Sequence, residues 1–193
     1  MARTKEFDPD AALRAALDLF WERGYEATSM ADLVEHLGVA RASIYATFGN
    51  KRDLYLKALD RYGDLVDPGL LRELSQPGPA LPAVRAVIER YAREAGDDSG
   101  RRGCFIVNTA VEVAPHDPHA ARRVAASWDH LETAITSALI RAQAQGELAP
   151  DKDPRALARF LLVLMQGVRV VGKVQAEPRR LRDAVTQALA LLD

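Results

Sequence analysis

Cysteine, aromatic residues and long apolar runs are scarce in this chain of 193 residues. The single cysteine, Cys104, excludes an intrachain disulfide and is typical of a reducing compartment. The longest uninterrupted apolar run, from Phe160 to Met165, is far shorter than a bilayer span, and the N-terminus has no apolar stretch of signal-peptide length. We therefore expect a soluble, cytoplasmic protein without a membrane segment.

Runs of alternating Val, Ile and Thr are also absent, which argues against β-strands. Hydrophobic residues make up 48% of the chain, and the composition favours the helix formers Ala, Leu, Arg and Glu. We predict an all-α protein of about nine helices, with a three-helix N-terminal domain over residues 1–62 and a helical C-terminal domain over 63–193. Proline and glycine at 67–69 and 76–79 predict a break after the fourth helix.

The net charge of −1 gives no overall sign of a nucleic-acid partner. The charge is unevenly distributed, however, because residues 38–52 contain no Asp or Glu, while cations lie there and on the N-terminal arm. These cations are Arg3, Lys5, Arg41, Lys51 and Arg52. A local concentration of positive charge is what contact with phosphates requires.

The same window has the pattern of a helix, a glycine turn and a second helix. Ser29 with Asp32 resembles a capping box that begins the first helix, and Gly38 ends it at a turn where positive φ is expected. In the second helix Ile44 and Phe48 point inward. Its outer face then consists of Arg41, Ala42, Ser43, Tyr45 and Thr47. Such a unit can present its second helix to the major groove of DNA, although an ordinary helical hairpin with a solvated arginine fits the periodicity as well.

The residues at fixed spacing in this window resemble the signature of the TetR/AcrR family of transcriptional regulators. The matching positions are Thr28, Leu33, Gly38, Val39, Ser43, Ile44, Tyr45, Phe48 and Lys51. The resemblance covers about the first quarter of the chain, and the length and helical layout agree with it. It implies a homodimer that binds double-stranded operator DNA.

The resemblance also assigns roles to residues around the turn. Arg41, Ala42 and Ser43 fall at base-reading positions, because arginine can read guanine and small side chains allow close approach. Thr28, Tyr45, Thr47 and Lys51 fall at positions that contact the DNA backbone. Two positions depart from the family pattern. Ala40 replaces a frequent Ser or Thr cap, at a cost of about 1 kcal/mol, and Thr47 replaces a frequent His.

In the family, the last two helices form a four-helix dimer interface and a ligand pocket lies among the middle helices. The helices that begin at Pro154 and Pro178 carry more apolar surface than a small domain buries alone. Gly167 and Gly172 would permit close approach of a second chain. We therefore expect dimerisation through these helices, with completion of the monomer core as the alternative.

A helix predicted from Cys104 to Ala114 is apolar except for a polar stripe. Cys104, Asn108 and Glu112 are four residues apart and so share one face. They are predicted to line a ligand pocket with further residues of the middle helices. The further residues are Tyr91, Trp128, Met165 and Arg169. The alternative is that Asn108 and Glu112 pair with backbone groups or with an arginine such as Arg169.

Cys104 follows Arg101 and Arg102 at a predicted helix N-terminus, an arrangement that favours a reactive thiolate. A sensor of electrophiles or oxidants and a small buried hydrophobe are both compatible with it. The run from His116 to His119 offers three potential metal ligands on one turn, but a polar loop before a helix is the simpler interpretation, and no metal or cofactor is expected.

The predicted function is a ligand-controlled repressor, released from a palindromic operator by a small, largely apolar or electrophilic effector. An enzyme is disfavoured because the sequence has no glycine-rich phosphate loop, no nucleophile elbow and no catalytic Cys–His constellation. The remaining alternative is an adaptor that binds a small molecule and whose helix-turn-helix is vestigial.

Overall fold

A computed structural model describes residues 7–97, 102–174 and 177–193. These residues form nine α-helices, a C-terminal 3-10 turn and no strand, so the all-α prediction is confirmed. The helices are α1 Pro9–Arg23, α2 Met30–Leu37, α3 Arg41–Phe48, α4 Lys51–Ser75, α5 Ala80–Gly96, α6 Phe105–Glu112, α7 Pro118–Ala144, α8 Pro154–Gly172 and α9 Pro178–Leu189. None of the described helices is long and apolar enough to cross a membrane.

The N-terminal helices begin and end where their local signals predict. The Ser29 side chain accepts from the N–H of Asp32, and the Asp32 carboxylate accepts from the N–H of Ser29 in return, which completes the capping box of α2. Gly38 ends this helix with φ +64°, a conformation that side chains with a Cβ rarely adopt. As predicted, Ala40 supplies no side-chain cap to α3.

The predicted break at 67–69 is wrong, because α4 continues through Pro68 to Ser75. Proline removes one intrahelical hydrogen bond. Here the carbonyl of Asp64 loses its helical donor. Pro68 and Asp64 are both exposed, so water can donate a hydrogen bond to that carbonyl. Beyond the proline, Leu70 and Leu74 are buried in the C-terminal core. Their burial keeps the helix intact.

The packing divides the chain differently from the two domains that the sequence predicts. One core contains α1–α3 and the first half of α4, together with α6 and the first part of α7. The other contains the end of α4, α5, the rest of α7, α8 and α9. Phe105 and Val124 therefore pack with the helix-turn-helix although they lie far along the chain. The proposed boundary at 62 falls inside α4, which contributes to both cores.

Candidate nucleic-acid interface and cavity

Helix α3 is held by two apolar residues and leaves its polar face outside. Ile44 and Phe48 are buried, whereas the side chains on the opposite face are exposed, except for the half-buried Ser43. The exposed side chains are Arg41, Ala42, Tyr45 and Thr47. Among the described residues Arg41 is in no ion pair. The face predicted to meet DNA thus presents donors that no other described residue uses.

The ends of α3 are fixed by the elements on either side. The carbonyl of Ala40 accepts from the N–H groups of Ser43 and Ile44, at 2.9 and 3.1 Å. After α3, Asn50 and Asp53 form a reciprocal capping box that begins α4. A short helix that buries only two side chains is therefore positioned mainly by its neighbours.

The structure corrects the role predicted for Thr28. Its side chain is fully buried, and its hydroxyl donates to the carbonyl of Gly24 at 2.7 Å. This bond satisfies an unpaired carbonyl at the end of α1. The hydroxyl is consequently directed into the protein and away from any phosphate.

The three cations of the window have different surroundings. Arg41 is exposed, while the Lys51 ammonium lies 4.2 Å from the centre of the Tyr25 ring. Arg52 pairs with Asp117, and its Nη2 donates to Oδ1 at 2.9 Å. Arg52 therefore connects α4 to the beginning of α7. The arm residues Arg3 and Lys5 lie outside the described residues.

Glu112 pairs with backbone groups of the chain, whereas the sequence predicted that it lines a ligand pocket. Its two carboxylate oxygens accept from the backbone N–H groups of Tyr25 and Glu26, at 3.0 and 2.9 Å. Through this contact the end of α6 holds the loop between α1 and α2. Glu112 thus satisfies backbone groups, which was the alternative interpretation of the polar stripe.

Asn108 also pairs within the chain. Its Nδ2 donates to the carbonyl of Arg102 at 3.0 Å, and its Oδ1 accepts from the Lys173 ammonium at 3.0 Å. Both ends of the amide are engaged, so Asn108 belongs to the junction of α6 with the end of α8. Its predicted place in a pocket is not supported by this geometry.

A small cavity of about 30 Å³ lies between α4, α5, α6, α7 and α8. Three of the predicted residues, Tyr91, Cys104 and Trp128, line it. The lining residues that sequence reasoning missed are Tyr62, Leu70, Ile106, Ser127, Leu131 and Gln166. Gln166, a polar residue on an apolar helix, was the one available signal among them.

Two other predicted pocket residues lie outside that lining. Met165 is fully buried in the C-terminal core. The Arg169 guanidinium lies 4.3 Å from the centre of the Tyr91 ring and donates to Glu94 at 2.8 Å. Arg169 therefore supports a wall of the cavity through Tyr91.

Several polar groups around the cavity can donate hydrogen bonds. The Tyr62 hydroxyl donates to the Cys104 sulfur at 3.5 Å, a weak acceptor. Burial raises the pKa of Tyr91 to about 12 and raises the pKa of Tyr62, so both hydroxyls keep their protons at neutral pH. The Trp128 indole N–H is buried without a hydrogen-bond partner among the described residues. The Trp128 N–H is consequently a donor that no described residue of the chain uses.

Cys104 is half-buried and precedes α6. Of the two arginines predicted to activate it, Arg101 lies outside the described residues. Arg102 turns away, since it pairs with Asp18 at 3.0 Å and stacks 4.4 Å from the Trp21 ring. The structure thus supports a thiol in a cavity and does not support activation by Arg102.

Asp117 is engaged by protein groups. Besides pairing with Arg52, its carboxylate accepts from the N–H groups of His119 and Ala120, at 2.8 and 3.2 Å, and so caps α7. The hydrogen bond from Arg52 is the main reason why the pKa of Asp117 falls to about 2. Within the described ranges no three His, Cys, Asp or Glu residues cluster as metal ligands would.

The two C-terminal helices differ in what they leave exposed. The larger apolar residues of α9 are buried in the chain's own core, whereas Leu191 in the turn after it is 47% exposed. Helix α8 instead carries an exposed stripe, here called the α8 stripe. Its members are Phe160, Val163, Gly167 and Val170 of α8, together with Val174 just beyond the end of the helix. The four side chains are 43–80% exposed. The surplus apolar surface that the sequence predicts therefore lies mainly on α8, and α9 itself buries its larger apolar side chains.

The two glycines of α8 also differ. A Cβ on Gly172 would lie 2.4 Å from the Ala95 carbonyl oxygen, so this glycine allows α8 to approach α5 of the same chain. A Cβ on Gly167 would meet nothing within 4 Å. Only Gly167 leaves room on the outer face.

Comparison with known families accounts for this arrangement. Residues 12–58 match the model of the bacterial regulatory proteins of the tetR family, and residues 80–188 match the tetracyclin repressor-like C-terminal domain. The chain belongs to the TetR family of transcriptional regulators. Membership confirms the resemblance found in the sequence and, because members of this family are regulators, the expectation that the chain is not an enzyme.

Relatives within the TetR family match over almost the whole length. An uncharacterised HTH-type regulator, YezE of Bacillus subtilis (strain 168), is 40% identical over all of both chains. The HTH-type transcriptional repressor ComR of Escherichia coli (strain K12) is 34% identical over 98% of this chain and 90% of its own. A cysteine mutant of the TetR family regulator CifR, solved with 26-bp operator DNA, superposes with a TM-score of 0.86 at 29% identity over 100% of both chains.

Proposed function

We propose that this TetR family regulator is a repressor that binds a palindromic operator as a homodimer and is released by a small, largely apolar or electrophilic effector. The observation that carries the proposal is the outer face of α3, which is rigidly held and leaves Arg41, Tyr45 and Thr47 exposed. The likeness to CifR, solved on operator DNA, and to the repressor ComR supports it.

The chemistry of α3 suits the major groove. Arg41 can donate two parallel hydrogen bonds to guanine, and Ala42 is small enough to let the helix approach the bases. The Tyr45 and Thr47 hydroxyls and the Lys51 ammonium are donors for phosphate oxygens. Residues 38–52 carry no acidic side chain, so this segment does not repel the phosphates of the DNA backbone.

The α8 stripe supports dimerisation. Its members are separated by three and four residues in alternation, the spacing of a coiled-coil seam. Gly167 at its middle lets the backbone of a second α8 come close. Two chains joined there could place their α3 helices about 34–36 Å apart, the separation of successive major grooves.

The contacts between the two cores suggest how an effector acts. The cavity of about 30 Å³ is well below the ~300 Å³ of a typical ligand pocket, so a ligand must push its walls apart. Cys104 and Ile106 of that wall lie at the start of α6, whose other end holds the α1–α2 loop through Glu112. Moving α6 would therefore move the α1–α2 loop and, through α2, the α3 helix. The effector would shift the population between the two arrangements by as much as its differential affinity for them allows.

The cavity also indicates the effector's chemistry. Because Trp128 Nε1 has no partner among the described residues, a ligand with a hydrogen-bond acceptor such as a carbonyl would be favoured. An electrophile would additionally reach the Cys104 thiol. Cys104→Ser separates these modes, since it removes the response to an electrophile and keeps the response to a non-covalent ligand.

Sedimentation combined with duplex binding tests the proposal. We expect Gly167→Trp to produce monomers that no longer bind operator DNA, and Gly69→Trp, at an exposed glycine of α4 with equally free surroundings, to change neither property. Arg41→Ala should remain dimeric and lose DNA binding. An adaptor with a vestigial helix-turn-helix would dimerise, and neither the wild type nor any variant would bind the duplex specifically.

A further inference from the structure

A second space lies next to the cavity, on the surface between α4 and α7. This groove has a volume of about 220 Å³. Its apolar lining includes Leu59 of α4, Ile106 of α6 and Ala126 of α7, and its polar lining includes Asp60, Arg123 and Ser127. None of these polar residues has a place in the helix-turn-helix or in the α8 stripe.

The groove and the cavity share part of their lining. Ile106 and Ser127 line both spaces, so the two are separated by no more than a layer of side chains. The cavity alone has room for little more than ordered water. Groove and cavity joined together approach the lower end of the volumes that small-molecule sites occupy.

An ion pair closes one side of the groove. Arg123 donates to both carboxylate oxygens of Asp60, from Nε at 2.6 Å and from Nη2 at 3.0 Å, and so ties α7 to α4. The two side chains are 33% and 52% exposed. Ion pairs this exposed contribute little to stability, so that separating α4 from α7 at this point demands little energy.

We propose that the α4–α7 groove is the outer half of the effector site and the route by which the effector reaches the cavity. The inference rests on the proposed function and adds Asp60, Arg123 and Ser127 to the site. The ligand it describes is a slender, uncharged molecule with an apolar body that lies over Ile106. Its leading end carries an acceptor for the donors around Trp128.

The absence of net charge in this ligand follows from the rim. Asp60 and Asp64 are acidic, and Arg123 is basic. A ligand with a net charge of either sign would be attracted by one rim residue and repelled by another. An uncharged body gains from the apolar floor without that conflict.

Cys104 provides a reporter, because it is the only cysteine and lines the inner cavity. The full-length protein is treated with N-phenylmaleimide under native conditions, and the rate of Cys104 modification is followed by mass spectrometry. Ala126→Trp places a large ring in the groove at an exposed position. The matched control is Ala125→Trp, at the neighbouring exposed position on the same helix and outside the groove lining.

We expect Ala126→Trp to slow the modification by at least about tenfold and Ala125→Trp to stay within about twofold of wild type. Unreactive N-phenylsuccinimide should protect Cys104 in the wild type and in Ala125→Trp, and should lose its effect in Ala126→Trp. Asp60→Asn, which weakens the ion pair, should raise the rate several-fold, and it tests the same route should the tryptophan variant fail to fold. In urea all proteins should react equally.

An unchanged rate in a folded Ala126→Trp protein, or equal protection in both tryptophan variants, would overturn the inference. Neither result would touch the proposed function, since dimerisation and duplex binding are measured without any ligand. Conversely, if the wild type does not bind operator duplexes, the proposed repressor function is refuted. The rate of Cys104 modification still tests the groove in that case.

Discussion

Helices α3 and α6 have the same length, eight residues each, and use their polar side chains in opposite ways. On α3 the polar side chains point outward, and Arg41 has no ion-pair partner among the described residues. On α6 the polar side chains of Asn108, Thr109 and Glu112 all form hydrogen bonds within the chain. One helix keeps its donors for another molecule, and the other uses its polar groups to join two cores.

The difference teaches how a polar residue on a helix should be interpreted. A polar side chain indicates a binding site only while its hydrogen-bonding capacity is unused, because a satisfied group offers little to a ligand. By this measure we expect Glu112 to be a structural residue and Arg41 a functional one, although both are charged residues at the edge of an apolar stripe. Variants of the two helices should therefore affect different measurements.

The largest effect is expected for Arg41→Ala, which should weaken specific duplex binding by about 100-fold or more. A bidentate contact to guanine contributes about 1–3 kcal/mol, and a dimer makes two such contacts. Fluorescence anisotropy measures the loss at fixed salt, with Arg72→Ala, an exposed arginine of α4, as the control. The melting temperature should not change. If Arg41→Ala unfolded more easily and bound the duplex as before, the contrast drawn between α3 and α6 would be wrong.

The next largest effect concerns stability. Glu112→Ala should lower the free energy of unfolding by about 1–3 kcal/mol, because two backbone N–H groups lose their acceptor. Glu112→Gln retains one acceptor, so its free energy of unfolding should lie between those of the wild type and Glu112→Ala. Urea denaturation gives the values, with Glu35→Ala on the exposed face of α2 as the matched control. Full stability in Glu112→Ala together with a lost effector response would return Glu112 to the ligand site.

A smaller effect is expected in acid. Arg52 and the N-terminus of α7 lower the pKa of Asp117 from its ordinary 3.8 to about 2. Stabilisation from a lowered carboxyl pKa is complete above the unfolded value and disappears as the pH falls towards the folded one. Between pH 4 and 2 the wild type should therefore lose more stability than Asp117→Asn. Asp129→Asn, on an exposed face of α7, should follow the wild type.

The smallest effect is expected at the start of α3. Ala40→Ser supplies the missing side-chain cap and should raise stability by up to about 1 kcal/mol. Thermal unfolding detects a change of this size in a chain of 193 residues as a shift of a few degrees. Ala40→Gly serves as the variant without a cap. A destabilising serine would mean that the turn before α3 does not tolerate the geometry of a capping side chain.

Sequence reasoning succeeded where a structure is decided locally. The cap at Ser29 and the left-handed Gly38 depend on neighbours within a few residues, so their patterns were sufficient. It failed at Pro68, where the burial of Leu70 and Leu74 keeps α4 continuous against the local signal.

The candidate site shows the same limit. Tyr45 and Arg41 were placed correctly on the outer face because helical periodicity determines which side faces out. The partners of Glu112 lie 87 and 86 residues away, and no spacing rule connects them. Periodicity identifies a polar stripe and cannot tell which of its members are already satisfied.

Selection of bound duplexes from a random-sequence pool tests the central claim most directly. If two chains present α3 to successive major grooves, the enriched sequences should share an inverted repeat whose half-sites are centred about 10 bp apart, or a multiple of it. Enrichment should disappear in Arg41→Ala and in Gly167→Trp. A single unrepeated motif, or the same enrichment with both variants, would contradict the account.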